Sequence, residues 1–416
     1  MARARNKGGH DPYGALRFHD FRLLLIGACI AQFGQQMLTV ALGWELYDRT
    51  GSALVLGGVG LAQVIPVIVL SLPAGAVADR YSRKRIVIGG QMVLALGALG
   101  LAALSFRHGP LLLIYGCLVA IGAASAFSNP ASTALVAQVI PEHAYENAVT
   151  WRSSATQAAA VLGPPAGGFL IGLLHGASWV YVLTAGAAPV FVPALLLLSA
   201  GRPTERLTGV SPVRAVAEGL HFLGQTRVLL AAITLDLFAV LLGGATTLLP
   251  IFARDILRVG PIGLGWLQAA DSVGSLCMAL VLAQRRPFAR AGRTLLTAVA
   301  GFGVATIVFG LSRSFALSFA MLLVLGALDN ISVVIRSTLV LVRTPDAMRG
   351  RVGAVNALFI GASNQLGGFE SGLVAQLMGP VVAVAAGGVG TLLVVLLVAW
   401  VWPEMRRLGA LSEAAP

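Results

Sequence analysis

Charge is what this chain has least of. Only 11% of its 416 residues are Asp, Glu, Lys or Arg, against about 25% in soluble domains. So few ions cannot cover the surface of a water-soluble fold of this length, and a soluble globular protein is excluded. Lysine is nearly absent: Lys7 and Lys84 are the whole complement. Neither follows a glycine loop, so ATP hydrolysis at a P-loop is excluded. Neither H-E-x-x-H nor G-x-S-x-G occurs, and an intramembrane enzyme ranks last among the readings. Cysteine is equally scarce. Cys29, Cys117 and Cys277 are scattered through apolar runs, and an odd, dispersed set makes neither a disulfide framework nor a zinc pattern. They read as small packing residues, and neither cofactor nor metal is expected.

What the chain has instead is apolar length: 57% hydrophobic residues, a mean hydropathy of +0.85 and 50 glycines, which suit close helix approach in lipid. The reading is an all-α polytopic membrane protein of twelve helices, near 22–46, 52–78, 86–106, 110–138, 145–174, 178–199, 227–249, 260–284, 294–312, 314–342, 352–377 and 380–402. Residues 1–21 are polar and basic. The full-length apolar run after them fits a first membrane helix better than a cleaved signal peptide. The net charge of +12 invites a nucleic-acid reading, but position argues against one. Of 29 Lys and Arg, Arg49, Arg107, Arg254, Arg258 and Arg313 fall in one set of connections and Arg336 within a span. The rest are assigned to the side of the termini and the alternate connections, with Arg22, Arg152 and Arg227 inside the first turns of the adjoining spans. That asymmetry is the positive-inside pattern and puts both termini in the cytoplasm, with the cations also meeting anionic lipid headgroups.

The sharpest break is Gly75-Ala76-Val77-Ala78-Asp79-Arg80-Tyr81-Ser82-Arg83-Lys84-Arg85. Residues 52–78 and 86–106 carry no charge, and each run spans a hydrocarbon core about 30 Å thick. A purely topological role accounts for the cations but not for the anion Asp79. The order of residues resembles the loop between helices 2 and 3 of major facilitator transporters, broadly G-x-x-x-D-R-x-G-R-[R/K], with Ser82 where Gly is usual. The resemblance implies that Gly75 approaches a helix of the other half. It also implies that Asp79 meets the N-terminal dipole of the helix starting near Gly350–Val352. Arg80, Arg83, Lys84 and Arg85 then serve as gate donors opposite Arg349 and Arg351, closed on the cytoplasmic side while the outer side is open.

A polar connection at 200–226 separates six spans from six. The organisation expected is a cytoplasmic segment 1–21, a six-helix half 22–199, a linker 200–226, a second half 227–402 and a tail 403–416. A shift of 204 residues lays Leu135-Val136 on Leu339-Val340, Pro141-Glu142 on Pro345-Asp346, Gly163 on Gly367 and Gly168 on Gly372. Two such halves about an axis along the membrane normal are what the major facilitator fold requires, with substrate near the midplane between them.

Gly163-Pro164-Pro165-Ala166-Gly167-Gly168 lies in span 5. Proline removes a backbone donor and kinks the helix, and the glycines allow close packing at the kink. An ordinary kinked helix is one reading. The other comes from the resemblance: G-P-x-x-G-G in helix 5 is associated with antiporter-type exporters, although Ala159 and Thr150 replace the upstream glycines of the full motif.

Ionisable groups inside spans are costly and suggest function. Asp236 falls in span 7, Asp271 in span 8, Asp329 and Arg336 in span 10, and Glu370 in span 11. A proton carrier is a carboxylate that exchanges its proton at the working pH. Asp271, near mid-span with no cation on its own helix, is the first candidate, and Asp329 the second, with Arg336 tuning it. Asp329 and Arg336 share a helix face but stand about 10 Å apart along the axis, too far for a direct salt bridge. The competing reading is a structural network pairing Asp236 or Glu370 with Arg336. Polar stripes are the candidate substrate cavity: Gln32, Gln35 and Gln36 on span 1, Asn129 on span 4, Gln268 on span 8, Asn330 on span 10, and Asn356 and Asn364 on span 11. Neutral amides in the first half and carboxylates in the second suggest that one binds substrate and the other carries protons.

More narrowly, Asp20-Phe21-Arg22-Leu23-Leu24, Tyr47-Asp48-Arg49-Thr50-Gly51-Ser52 and the stretches 329–336 and 367–372 resemble the siderophore- and drug-exporter branch of this superfamily. The resemblance implies proton-driven export of a catecholate siderophore or a hydrophobic drug across a bacterial inner membrane, by a monomer. A proton-coupled importer of the same fold and a transport-inactive membrane sensor are the alternatives.

Overall fold

The computed structural model describes residues 12–198, 212–285 and 288–410. Parts of the expected N-terminal segment, linker and C-terminal tail therefore lie outside the described residues. Every regular element among the described residues is helical. The first six-helix group comprises α1 (His19–Thr50), α2 (Ala53–Arg80), α3 (Arg83–Phe106), α4 (Leu111–Val139), α5 (Tyr145–Leu174) and a broken sixth, α6 (Ser178–Ala185) with α7 (Ala188–Leu197). A surface helix follows, α8 (Pro212–Gln225). The second group comprises α9 (Arg227–Leu242), the short α10 (Leu249–Ile251), α11 (Gly260–Gln284), α12 (Ala291–Leu311), α13 (Phe315–Arg343), α14 (Arg349–Met378), α15 (Pro380–Val401) and the short α16 (Pro403–Arg407).

Eleven segments of the described residues are long and apolar enough to cross a membrane, counting α6–α7 as one and Arg227–Ile256 as one. The 30-residue α14, at the position expected for the eleventh span, is the more polar exception, carrying Asn356, Asn364, Gln365 and Glu370. The helix ends follow local chemistry. Helix α1 stops at Gly51, which takes the left-handed conformation (φ 59°) that glycine adopts without a Cβ clash. Ser52 then caps α2 by accepting from the Val55 amide.

Two expected spans are interrupted. The sixth breaks at Gly186–Ala187 because Pro189 lacks the amide that would continue the ladder. The seventh does not end at residue 249. Gly243 closes α9, and the chain passes through a 3₁₀ turn (Ala245–Leu248), α10 and a π-turn (Phe252–Ile256). Pro250, inside this stretch, denies it a regular α-helical ladder.

Helix polarity alternates, so one end of the bundle holds both described chain ends (the terminal end) and the other holds the connections at 51–52, 243–259 and 379 (the far end). Buried apolar side chains form three clusters. One runs through both groups at the far end, from Met37–Tyr47 and Leu56 to Leu248–Ala253, Leu264 and Ala375. At the terminal end the core divides. One cluster lies wholly in residues 15–198, and another wholly in residues 222–408.

Candidate functional site: the joint between the helix groups and the polar cavities

Two helix pairs carry the joint. Helix α5 packs on α11, and α2 packs on α14. The glycine-proline motif sits at the first pair and works on two faces. Gly163 and Gly167 lie against α1, where a methyl group on Gly167 would meet the Met37 Cα at 3.1 Å. Gly168 faces α11, where a methyl group would meet the Gly265 Cα at 3.1 Å, while Gly265 in turn lies against the Pro164 carbonyl. At the second pair, Gly57 lies against Gly368 and Phe369, and Gly372 against Ala53 and Gly57.

Polar contacts reinforce the far end. The Tyr47 hydroxyl donates to the Asp255 carboxylate. Arg254 pairs with Asp48 at 3.1 Å, donates to the Tyr47 carbonyl at 3.2 Å and lies over the Tyr47 ring. Gln376 of α14 accepts from the Ser52 hydroxyl at 3.0 Å and the Ala53 amide at 3.1 Å, so one group caps a helix of the other. A single bond further in, Gln157 to the Ser272 carbonyl at 2.9 Å, joins α5 to α11. Sequence alone does not single out Tyr47, Arg254, Asp255 and Gln376 as site residues, because such partners lie 200 or more residues apart.

At the terminal end the bonds described for the expected gate residues run to neighbouring elements of the same group or to the surface helix α8. Lys84 donates to the carbonyls of Leu196 (2.9 Å) and Leu198 (3.0 Å) at the end of α7, and Arg83 reaches the Ala134 carbonyl at 3.4 Å. Across the bundle, Arg349 pairs with Asp346 at 2.6 Å and Arg351 with Glu218 of α8 at 2.5 Å. Gly350, Gly353 and Gly361 of α14 face open space. The side chains of Gly75, Asp79 and Arg80 lie outside the described residues.

The carboxylates separate into two sets. Asp236 of α9 and Arg336 of α13 form an ion pair, both buried at 7% and 3% exposure. Buried charges persist when paired, and this pair engages Arg336 away from Asp329. Asp271 and Asp329 instead lie within electrostatic reach of each other across α11 and α13. The two helices touch backbone to backbone there, Gly326 against the Asp271 carbonyl, and the Ser275 hydroxyl donates to the Gly326 carbonyl at 2.9 Å. Neither carboxylate has an ion-pair partner among the described residues. Glu370 stands apart, half-buried, accepting from Ser371 at 3.4 Å.

Polar cavities open among the described residues, and two of them take amides expected from the sequence. One, about 200 Å³, lies between the groups beneath the far-end closure and is lined by Thr39, Gln63, Thr246, Thr247, Gln268 and Gln365 among others. The other, about 290 Å³, lies inside the first group and takes Gln32 and Gln35 from α1 and Asn129 from α4. The remaining amides scatter. Gln36 packs on Gly163, Asn330 has a buried carbonyl oxygen without a partner, Asn356 is half-buried and Asn364 is exposed. The larger cavity also holds Arg152, a cation that the topological charge count places in a connection. It stands seven residues into α5, two turns up the helix.

A bundle of membrane-length helices in two groups, with one shared apolar core at one end, divided cores at the other and polar cavities between helices, defines a polytopic carrier rather than an enzyme. The chain is a major facilitator transporter. Residues 10–413 match the family described as transmembrane secretion effector, and the chain belongs to that family. Among its relatives, the multidrug efflux pump Tap of Mycolicibacterium fortuitum is 28% identical, covering 86% of this chain and 89% of that protein. The enterobactin exporter EntS of Shigella flexneri is 26% identical over 93% of this chain and 92% of that protein. Solved structures agree on the fold. An inward-facing, occupied bacterial homologue of the human lysosomal transporter Spinster superposes with a TM-score of 0.72 at 16% identity, over 96% of this chain and 98% of the other. The nucleoside transporter NupG gives 0.69 at 14% identity, over 93% and 98%.

Proposed function

We propose that this transporter exports a small amphipathic molecule, a siderophore such as a catecholate or a drug, across a bacterial inner membrane by proton antiport with alternating access. In this reading twelve helices span the membrane, α14 being the one of mixed polarity. Residues 22–199 and 227–402 are the two moving halves, and the terminal end is cytoplasmic. The observation that carries the reading is the division of the core. One apolar cluster runs through both halves at the far end, and a separate one serves each half at the terminal end. That supports a conformation closed to the outside and open to the cytoplasm. The cytoplasmic gate of residues 75–85 is then parted, consistent with Lys84 bonding within its own half and Arg351 bonding to the surface helix α8. It re-forms when the outer joint opens.

Proton coupling falls to Asp271 and Asp329. A carboxylate locked to an arginine cannot take a proton without stranding a buried cation, which sets Asp236 aside as structural. Two carboxylates facing each other with no intervening cation are free to exchange one. The relatives' names, efflux pump and exporter, support the outward direction.

The test uses inverted and right-side-out vesicles with an imposed pH gradient, and ethidium and a dihydroxybenzoyl-serine conjugate as probes. The expected result is uptake into inverted vesicles only, abolished by an uncoupler. Uptake into right-side-out vesicles alone would replace the exporter with an importer, and absence of pH-linked flux for any of a panel of drugs and siderophores would leave a sensor.

A further inference from the structure

We infer that the cavity inside the first half is a recognition site for a small organic acid, a carboxylate or phenolate with a hydroxyl beside it. The inference rests on the exporter reading only in naming a substrate class, since the site itself is built from one half. Five helices converge on it: α1, α3, α4, α5 and, through Phe191, α7. The polar lining residues of α4 are Ser125, Ser128, Asn129 and Ser132, spaced i, i+3, i+4 and i+7, which places them on one helix face. Thus a polar wall meets the volume along two turns. At about 290 Å³ the space is at the small end of ligand pockets.

Three features specify the ligand. Arg152 is a half-buried cation within electrostatic reach of Tyr145, and it makes no ion pair or hydrogen bond among the described residues. A guanidinium withdrawn from water recruits an oxyanion, with which it forms charge-assisted bonds. Gln91 and Ser128 are lining residues whose side-chain oxygens are buried and have no partner among the described residues. Buried polar groups of this kind are costly to leave unsatisfied. An amide oxygen only accepts, so a ligand toward which the Gln91 side chain turns brings a donor as well as an anion. The cavity is also reachable. Asn129 and Thr156 are exposed, and Gln157, next to Thr156, bonds α11 of the other half. The opening therefore lies beside the joint that moves.

The same oxyanion could be supplied by a lipid headgroup, and the experiment separates the two. The full-length protein is placed in nanodiscs of phosphatidylcholine, and binding of salicylate and of its neutral isostere salicylamide is measured by calorimetry. The expected result is saturable salicylate binding that exceeds salicylamide binding, and falls about 10- to 100-fold in Arg152→Gln. Arg152→Lys, which keeps the charge, should retain part of it, and both variants are checked for an unchanged melting profile. Equal binding of acid and amide, or an unaltered Arg152→Gln, would overturn the site. Abolition of salicylate binding by added phosphatidylglycerol would assign the oxyanion to lipid and also overturn it. Failure here leaves pH-linked flux of ethidium untouched, whereas a missing flux with intact salicylate binding would remove the exporter reading alone.

Discussion

Gly168 and Gly372, separated by 204 residues, hold matching positions in the two joints of the transporter. Gly168 of α5 lies against Gly265 of α11, and Gly372 of α14 lies against Gly57 of α2. Each comes from the fifth helix of its half and meets the second helix of the other. The internal repeat is therefore a repeat of contacts as well as of sequence. At both positions the backbones approach so closely that a single added carbon meets main-chain atoms, which cannot swing aside as a side chain end does.

Alanine at either glycine should loosen the far-end closure. Overpacking costs about 1–3 kcal/mol, so the balance between a closed and an open far end should shift by about 5- to 150-fold. With Cys29, Cys117 and Cys277 replaced by serine, a cysteine at Thr247, which lines the cavity beneath the closure, reports this. A membrane-impermeant maleimide added from outside should label it faster in Gly168→Ala and in Gly372→Ala. Unchanged labelling in both would show that these joints do not separate.

The polar contacts above that closure are unequal. Arg254 and Asp48 are 37% and 52% exposed, and such a pair contributes about 0–1 kcal/mol. The Tyr47 hydroxyl donates to a carboxylate, and hydrogen bonds to charged groups are worth about 1.5–3 kcal/mol. Tyr47→Phe and Asp255→Ala should therefore each raise outside labelling of the same cysteine more than Arg254→Gln does. Their double variant should look like either single one, because both remove one bond. Additive effects would mean that the two residues act separately.

Much of this architecture is legible in the amino-acid sequence. The spans are long uninterrupted apolar runs, and lipid tolerates little else. The motif at 163–168 is recognisable because glycine and proline constrain backbone directly. What escapes depends on tertiary contact. Asp236 and Arg336 are 100 residues apart, and one sequence offers no rule for choosing that pair over Glu370 with Arg336. Arg152 counts with a connection because it lies near a helix start, where a charge census cannot tell a solvated cation from one turned into a cavity. The interruption at 243–259 reads as plain span and loop, since its turns depend on Gly243, Gly244 and Pro250 fitting against neighbouring helices.

Lys84 shows how the start of α3 is anchored at the terminal end of the bundle. Its ammonium meets the last carbonyls of α7, where a cation is favoured by the helix dipole and satisfies acceptors that have no intrahelical partner. Lys84→Met should destabilise the first half by about 1 kcal/mol, seen as a lowered melting temperature, while Lys84→Arg should recover most of it. If the lysine served only to set membrane orientation, Lys84→Met would leave the melting temperature unchanged.

The two carboxylate sets should fail in different ways. Breaking a buried ion pair by removing one partner costs about 3–5 kcal/mol, whereas replacing both is often close to neutral. Arg336→Gln should therefore lower folded yield and melting temperature, and Asp236→Asn added to it should restore both. Asp271→Asn has no arginine to strand, so its melting temperature should stay near that of the parent. Flux driven by the pH gradient should nevertheless fall at least about tenfold, a transition-state cost of about 1.4 kcal/mol, with counterflow of substrate at equal pH retained. That combination, exchange without coupling, is the signature of a lost proton carrier. A loss of counterflow and coupling together would place Asp271 in substrate binding, and unaltered coupling in both Asp271→Asn and Asp329→Asn would remove the pair from the proton path.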